Sequence, residues 1–77
     1  MSVSHLPAHP GQNLALRVDD QTSVMYIGVA PINSLSSAAS WSIKRLSVSG
    51  GSYTMQWADG NDLNDNVWDN RASLLYS

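Results

Sequence analysis

The feature that most restricts the fold is a pair of adjacent glycines between two strand-like segments, in WSIKRLSVSGGSYTMQWADG. Gly50 and Gly51 supply the positive φ angles that a two-residue type I′ hairpin loop requires. Such a turn fixes the register of the strands, starting with Ser49 opposite Ser52. The further pairs predicted are Val48 with Tyr53, Leu46 with Met55 and Lys44 with Trp57. Their large side chains share one face, so we predict that this face of the hairpin drives folding.

Two large apolar residues do not fit this alternation. Trp41 and Ile43 fall on the opposite face, beside Ala58, where the other positions are polar. Either a β-bulge near Lys44 and Arg45 restores the phase, or this second face is itself buried against another sheet or subunit. We favour the buried second face because the chain is small, and this predicts that Trp41 and Ile43 make contacts with a neighbour.

Three further segments have strand-like patterns. LALRV, residues 14–18, alternates as a half-buried strand should, and VMYIGVA, residues 24–30, is apolar at nearly every position, which predicts a strand covered on both faces. RASLLYS, residues 71–77, is predicted as a last strand. The segment between Pro31 and Trp41 shows little pattern and is predicted to be a loop with one helical turn at 36–40.

The domain organisation follows from composition along the chain. Residues 1–13 carry two prolines, a glycine and no periodic apolar pattern, which predicts an extended N-terminal arm, and residues 14–77 form a single small β domain. The predicted fold class is mainly β: a small antiparallel β-sheet or a sandwich or barrel around the central Gly-Gly hairpin. With 77 residues and no cysteine, the chain lacks disulfides, so a partner subunit or an oxygen-ligated metal is the remaining source of extra stability.

Charge excludes some kinds of partner. The formal net charge is −2, and the four basic residues, Arg17, Lys44, Arg45 and Arg71, are spread along the chain. No stripe of positive potential for nucleic acid is therefore expected. No stretch approaches a membrane span and no signal peptide is recognised, so a soluble, non-secreted protein with no membrane partner is expected.

The cluster DGNDLNDNVWDN is the candidate ligand site. Asp59, Asn61, Asp62, Asn64 and Asp65 carry the oxygen ligands that calcium prefers, but their spacing matches no EF-hand and the chain contains no glutamate. The same residue types form Asx-turns and helix N-caps, and we favour that structural role, with Asp65 or Asn64 capping a turn. Arg71 is expected to pair with Asp69 or Asp62. The alternative is a calcium-dependent or carbohydrate-binding module using loop 59–70 with Trp68.

Catalytic chemistry has little support in the sequence. His5 and His9 lie in the proline-containing arm, and no Gly-x-Ser-x-Gly elbow or phosphate-binding loop is present. We predict that the protein is not an enzyme and assign no catalytic, cofactor-binding or metal-binding residue. The three tryptophans, Trp41, Trp57 and Trp68, are assigned to a core or a subunit interface rather than to a sugar platform, and Lys44 opposite Trp57 predicts a cation-π contact.

The C-terminal run WADGNDLNDNVWDNRASLLYS, together with LRVDD, SVMYIGVA and SAASWSIKRL, resembles small proteins of tailed bacteriophages. The resemblance covers about residues 14–77 and is most specific in the last twenty. Asn64 stands where the family pattern has an aromatic residue such as phenylalanine.

This resemblance implies a structural or accessory component of a phage particle, made and assembled in the host cytoplasm. The implied partners are further copies of the chain and neighbouring capsid, neck or tail proteins, in a decoration, collar or fibre-anchoring role. It implies no catalytic residue and no cofactor. A compact β domain with an extended arm suits such a role, because arms of this kind lie along a neighbour and become ordered there.

Overall fold

The computed structural model of the protein describes residues 15–77. The predicted arm 1–13, with His5 and His9, and Leu14 at the start of the first predicted strand therefore lie outside the described residues. The prediction of a mainly β fold with a small antiparallel sheet is confirmed, and the sheet is open rather than closed into a barrel.

Five strands and one short helix make up the fold. They are β1 (Ala15–Asp20), β2 (Val24–Ala30), β3 (Ala39–Ser49), β4 (Ser52–Trp57), β5 (Asn66–Val67) and a 3₁₀ helix (Trp68–Ser73). The four longer strands pair in chain order, β1-β2-β3-β4, each antiparallel to the next. The two-residue β5 pairs with the first part of β3, on the same side as β4.

The central hairpin has the predicted register. Pairing runs without a break from Ser49 opposite Ser52 to Lys44 opposite Trp57, and both glycines of the turn have positive φ, 56° and 82°. The pairing of β3 with β2 and with β4 shows no register shift at Lys44 or Arg45. A β-bulge at these residues therefore does not explain why Trp41 and Ile43 lie on the second face.

The buried core lies on the face that the sequence marked as second. Its fully buried side chains are Trp41 and Ile43, and directly paired neighbours in the sheet place Tyr26, Ala30 and Ala58 on the same side. We call this side the closed face. The prediction that it is buried is confirmed, but the cover is the chain's own C-terminal segment, residues 66–77, rather than another sheet or subunit.

The predicted folding face of the hairpin is wrong. Tyr53 is 69% exposed and Met55 is 55% exposed, while Leu46, Val48 and Trp57 are only half-buried. Alternation shows which side chains share a face, but it does not show which face the rest of the chain covers. Here residues 66–77 cross the opposite face, and they leave this one uncovered within the described part of the chain.

The strand β2 is covered more fully on one side than on the other. Tyr26, Gly28 and Ala30 are buried, whereas Met25, Ile27 and Val29 are half-buried. The prediction that this strand is covered on both faces is therefore only half right. Its apolar residues on the uncovered side belong to a wider apolar surface of the sheet.

Two local predictions are corrected in the connecting segments. Residues 36–40 form no helical turn. The Ala38 amide donates to the Leu35 carbonyl (3.1 Å), which makes one isolated turn over residues 35–38, and β3 then begins at Ala39. Residues 71–77 form no regular strand: the 3₁₀ helix runs to Ser73, and only Tyr76 makes a bridge, to Ala58.

Candidate interaction surface

The Asp/Asn-rich loop is held by its own side-chain amides. The Asn61 side-chain oxygen accepts a hydrogen bond from the Leu63 amide (3.0 Å), and its nitrogen donates to the Asp59 carbonyl (3.3 Å). Asp59 and Gly60 adopt positive φ values of 60° and 70°, a conformation that Asp and Gly tolerate better than most residues. The predicted Asx-type role is confirmed for Asn61.

Asn64 ties this loop to the sheet. Its side-chain nitrogen lies 3.2 Å from the carbonyl oxygens of both Val29 and Ser40, so the amide bridges the end of β2 and the start of β3. The contacts of this side chain with the sheet are therefore polar, to backbone carbonyls of two neighbouring strands. The N-cap of the 3₁₀ helix is Val67, and no side chain caps it, so the predicted capping of a turn by Asp65 or Asn64 does not apply to this helix and stays a prediction for the loop itself.

The acidic residues do not converge on a metal position. Within residues 15–77 no three carboxylate or histidine side chains come close enough together to hold a metal ion. The described part of the chain also contains no ligand-sized cavity.

Trp68 packs into the core instead of forming a binding platform. Its ring lies 5.8 Å from the Trp41 ring, centroid to centroid, at an interplanar angle of 43°. It rests against Gly28 so closely that an added Cβ there would lie 2.6 Å from Trp68 Cε3. The Trp41 indole nitrogen donates to the Leu35 carbonyl (2.9 Å), which satisfies the polar atom of a buried ring.

Arg71 fastens the helix to the sheet edge. Its Nε lies 2.9 Å from Asp19 Oδ2 on β1, its guanidinium carbon lies 4.7 Å from the centroid of the Trp68 ring, and Nη1 donates to the Trp68 carbonyl (3.1 Å). The predicted pairing with Asp69 or Asp62 is therefore wrong. Hydrogen bonds from Arg71, and then from Gln21, lower the pKa of Asp19 below its usual value.

Tyr76 closes the other end of the core. Its ring packs against Tyr26, with centroids 5.9 Å apart, and the Arg45 guanidinium carbon lies 4.6 Å from its centroid. Its hydroxyl donates to the Arg71 carbonyl (2.7 Å). Burial, followed by the nearby Tyr26, raises the pKa of Tyr76 to about 12.

We expect the stability of the protein to fall in alkali because of Tyr76. Its pKa in the folded state, about 12, is above the unfolded value of 10.0, so its contribution is fully present below pH 10 and is lost as pH rises toward 12. Urea unfolding at stepped pH, with tyrosinate absorbance recorded alongside, measures this. In the Tyr76→Phe control the late-titrating tyrosine should vanish and the alkaline loss should shrink. An unchanged alkaline loss would contradict the assignment.

The opposite side of the sheet carries a continuous apolar surface, which we call the open face. Paired positions place ten apolar side chains on it. They are Leu16, Val18, Met25, Ile27, Val29, Leu46, Val48, Tyr53, Met55 and Trp57. Leu16 is 65% exposed and Val18 is 54% exposed, and Tyr53 and Met55 are exposed to a similar degree. The surface therefore runs across all four long strands.

Charged groups on the open face are few. The strand positions that share it include only Asp20 at one corner and Lys44 near the middle as ionisable residues. The Lys44 ammonium lies 5.2 Å from the centroid of the Trp57 ring, as predicted, and so leans onto the apolar surface. Four strands spaced about 4.8 Å apart and about 20 Å long give a footprint of roughly 400 Å². Patches of this size on monomers are often functional.

The open face could not be recognised from alternation alone. A usable signal was Gly28 within an otherwise apolar strand, since a glycine there leaves room for a ring to lie on the backbone. Trp68 is that ring, and its position decides which face becomes the core. The remaining face is then left largely uncovered by residues 15–77.

Comparisons with known proteins add no family to this description. No family model matches the chain, and neither does any curated protein or solved structure. Among the described residues, no helix is long and apolar enough to cross a membrane.

Proposed function

We propose that this protein is a structural component of a bacteriophage particle, which acts by binding its own copies and neighbouring capsid, neck or tail proteins. It is a small assembly protein in a decoration, collar or fibre-anchoring role, and it carries out no catalysis. The particle comes from the sequence resemblance, and the observation that supports binding to other proteins is the open face, an apolar surface across the four long strands that residues 15–77 leave largely uncovered.

The chemistry of the open face favours a protein partner. Removing an apolar sheet surface from water stabilises a complex by roughly 25 cal/mol for each Å² buried. A second protein surface can cover the open face at the spacing of packed sheets. One aspartate and one lysine give it no net charge, which does not suit a polyanionic nucleic acid. Tyr53 and Trp57 are of the residue types enriched at protein interfaces.

The particle role is tested by locating the protein. We expect the chain in purified particles of the phage that encodes it, at a defined copy number by quantitative mass spectrometry and as β density in a reconstruction. The open face should contact another polypeptide in that density. A chain missing from purified particles, and monomeric in solution, would refute the proposal.

A matched pair of leucine substitutions tests the surface. Leu16 on the open face is 65% exposed, and Leu35 in the loop after β2 is 70% exposed, so lysine at either site should change the folding stability by no more than about 0.5 kcal/mol. Leu16→Lys places a charge within the proposed interface. We expect it to lower incorporation into particles about tenfold or more, while Leu35→Lys stays near the wild-type level.

The measurement uses a phage that lacks its own copy, with each variant supplied from a plasmid. Incorporation is the amount of this chain relative to the major capsid protein in purified particles. Thermal unfolding of the two purified variants checks that both are folded. Equal incorporation of Leu16→Lys and Leu35→Lys would exclude the open face as the binding surface, whatever the role of the protein in the particle.

A further inference from the structure

The two edges of the sheet differ in their charge. β1 carries Arg17, Asp19 and Asp20, charges of the kind that discourage a strand from pairing with another chain. β4 begins SYTMQ, with no charge, proline or glycine, and Ser52 to Met55 are all exposed. Its outer edge has no partner within residues 15–77 until Trp57, which pairs with Ser77. The described part of β4 is thus an unprotected edge.

The backbone groups that face outward from β4 follow from the hairpin. In an antiparallel pair alternate residues exchange hydrogen bonds with the partner strand, and a two-residue turn makes Ser49 and Ser52 such a pair. Thr54 consequently points its amide and carbonyl toward β3, while Tyr53 and Met55 point theirs away. Trp57 agrees with this alternation, since it exchanges hydrogen bonds of 3.0 and 3.1 Å with Ser77 on the outer side.

We propose that the outer edge of β4 is the site where a second copy of this chain adds the same strand, antiparallel and about a two-fold axis through Thr54. Tyr53 of each copy then lies opposite Met55 of the other. Their outward amides and carbonyls make four hydrogen bonds. The result is one continuous sheet, with the four long strands of each copy, in which the two open faces continue each other because opposite residues share a face. This inference deepens the proposed function and rests on it.

The length of the free edge fits this partner. In the two-fold register Ser52 lies opposite Gln56 of the second copy, so the paired segment is 52–56, the part of β4 that precedes the contact with Ser77. In the second copy, β4 begins after the turn at Gly50 and Gly51. The paired strand of that copy therefore stops before it reaches Ser77 of the first copy. A longer strand from another protein would collide with Ser77, and this favours a second copy.

Disulfide trapping tests the register directly, since the native chain has no cysteine. Thr54 of the two copies would be a non-hydrogen-bonded pair with Cα atoms about 4.5 Å apart, within the range that a disulfide spans. The Thr54→Cys protein should form a disulfide dimer under mild oxidation at least about tenfold faster than Ser52→Cys. In that control the cysteines lie about 13 Å apart along the strands. Equal rates for the two variants would overturn the register.

A second matched pair tests the hydrogen bonds at the same residue. Met55→Pro removes an outward amide without removing one that β3 uses, and an edge strand tolerates proline at such a position. Met55→Ala removes the same side chain but keeps the amide. Sedimentation equilibrium should show a dimer at least about tenfold weaker for Met55→Pro than for Met55→Ala. Equal dimerisation would overturn the proposal.

The outcomes separate this inference from the proposed function. If the β4 variants dimerise alike while Leu16→Lys still lowers incorporation into particles, strand addition is wrong and the particle role stands. A wild-type monomer in which the Tyr53 and Met55 amides resist hydrogen exchange would mean that another segment covers the edge, and it would also refute the second copy. A dimer that is trapped through Thr54 but absent from particles refutes only the particle role.

Discussion

Replacing Trp41 with alanine is expected to unfold most of the protein at room temperature. Trp41 is 1% exposed and its ring packs beside the Trp68 ring, so truncation removes the largest fully buried side chain of the core together with the hydrogen bond to the Leu35 carbonyl. Changes of this kind cost about 3–5 kcal/mol. A core of this size rarely supplies more than about 3–5 kcal/mol in total. Circular dichroism and urea titration measure the loss.

Tyr53→Ala provides the control for this prediction. Tyr53 is also a large aromatic residue, and it belongs to the hairpin face that the sequence pattern favoured as the core, but it is 69% exposed. Its truncation should lower the free energy of unfolding of the monomer by about 1 kcal/mol or less. The measurement is made at low protein concentration, so that association does not contribute. A Tyr53→Ala loss as large as that of Trp41→Ala would contradict the assignment of the core to the closed face.

Gly28→Ala is expected to destabilise the protein by about 2–3 kcal/mol, the upper part of the usual range of about 1–3 kcal/mol for overpacking a core. The added Cβ would lie 2.6 and 2.7 Å from two carbons of the Trp68 ring and 3.1 Å from a carbon of Trp41. The Trp68 ring cannot move away freely, because the Arg71 guanidinium packs on it and Arg71 is itself bonded to Asp19. Urea unfolding measures the change.

A double-mutant cycle shows whether the loss comes from this contact. Trp68→Leu removes the ring carbons that the new methyl group would strike, so adding Gly28→Ala to it should cost at least about 1 kcal/mol less than adding it to the wild-type chain. The Trp68→Leu variant alone is the reference for lost burial. If the two effects simply add, then the methyl group clashes with something other than Trp68, and the packing of Trp68 on Gly28 does not account for the loss.

The burial of the closed face instead of the open face connects the core to the proposed role. Because the C-terminal segment supplies Trp68 and Tyr76 to one side of the sheet, the chain completes a core around Trp41 and Ile43 without using the large residues on the other face of its hairpin. Those residues remain on the open face beside the uncharged edge of β4. One arrangement thus leaves both an apolar surface and a free strand edge for assembly, and the two sets of variants address them separately.

Much of the sheet could be predicted from the sequence, whereas the candidate surface could not. The two glycines and the alternation around them fixed the hairpin register from Ser49 to Lys44, because turn geometry and side-chain period are local properties. The Asx-type role of Asn61 was likewise local. The ion pair of Arg71 with Asp19 joins residues 52 positions apart, and nothing in the neighbourhood of Arg71 in the sequence pointed to that partner.

What the sequence by itself determined is therefore the four long strands, the antiparallel register of β3 and β4 around the Gly-Gly turn, and which residues of the hairpin share a face. Only the tertiary structure decided which face is covered. The periodicity of a strand is the same whichever side is buried. The choice came from the non-local packing of Trp68 on Gly28 and of Tyr76 on Tyr26, which places residues 66–77 over Trp41 and Ile43 and leaves Tyr53 and Met55 open.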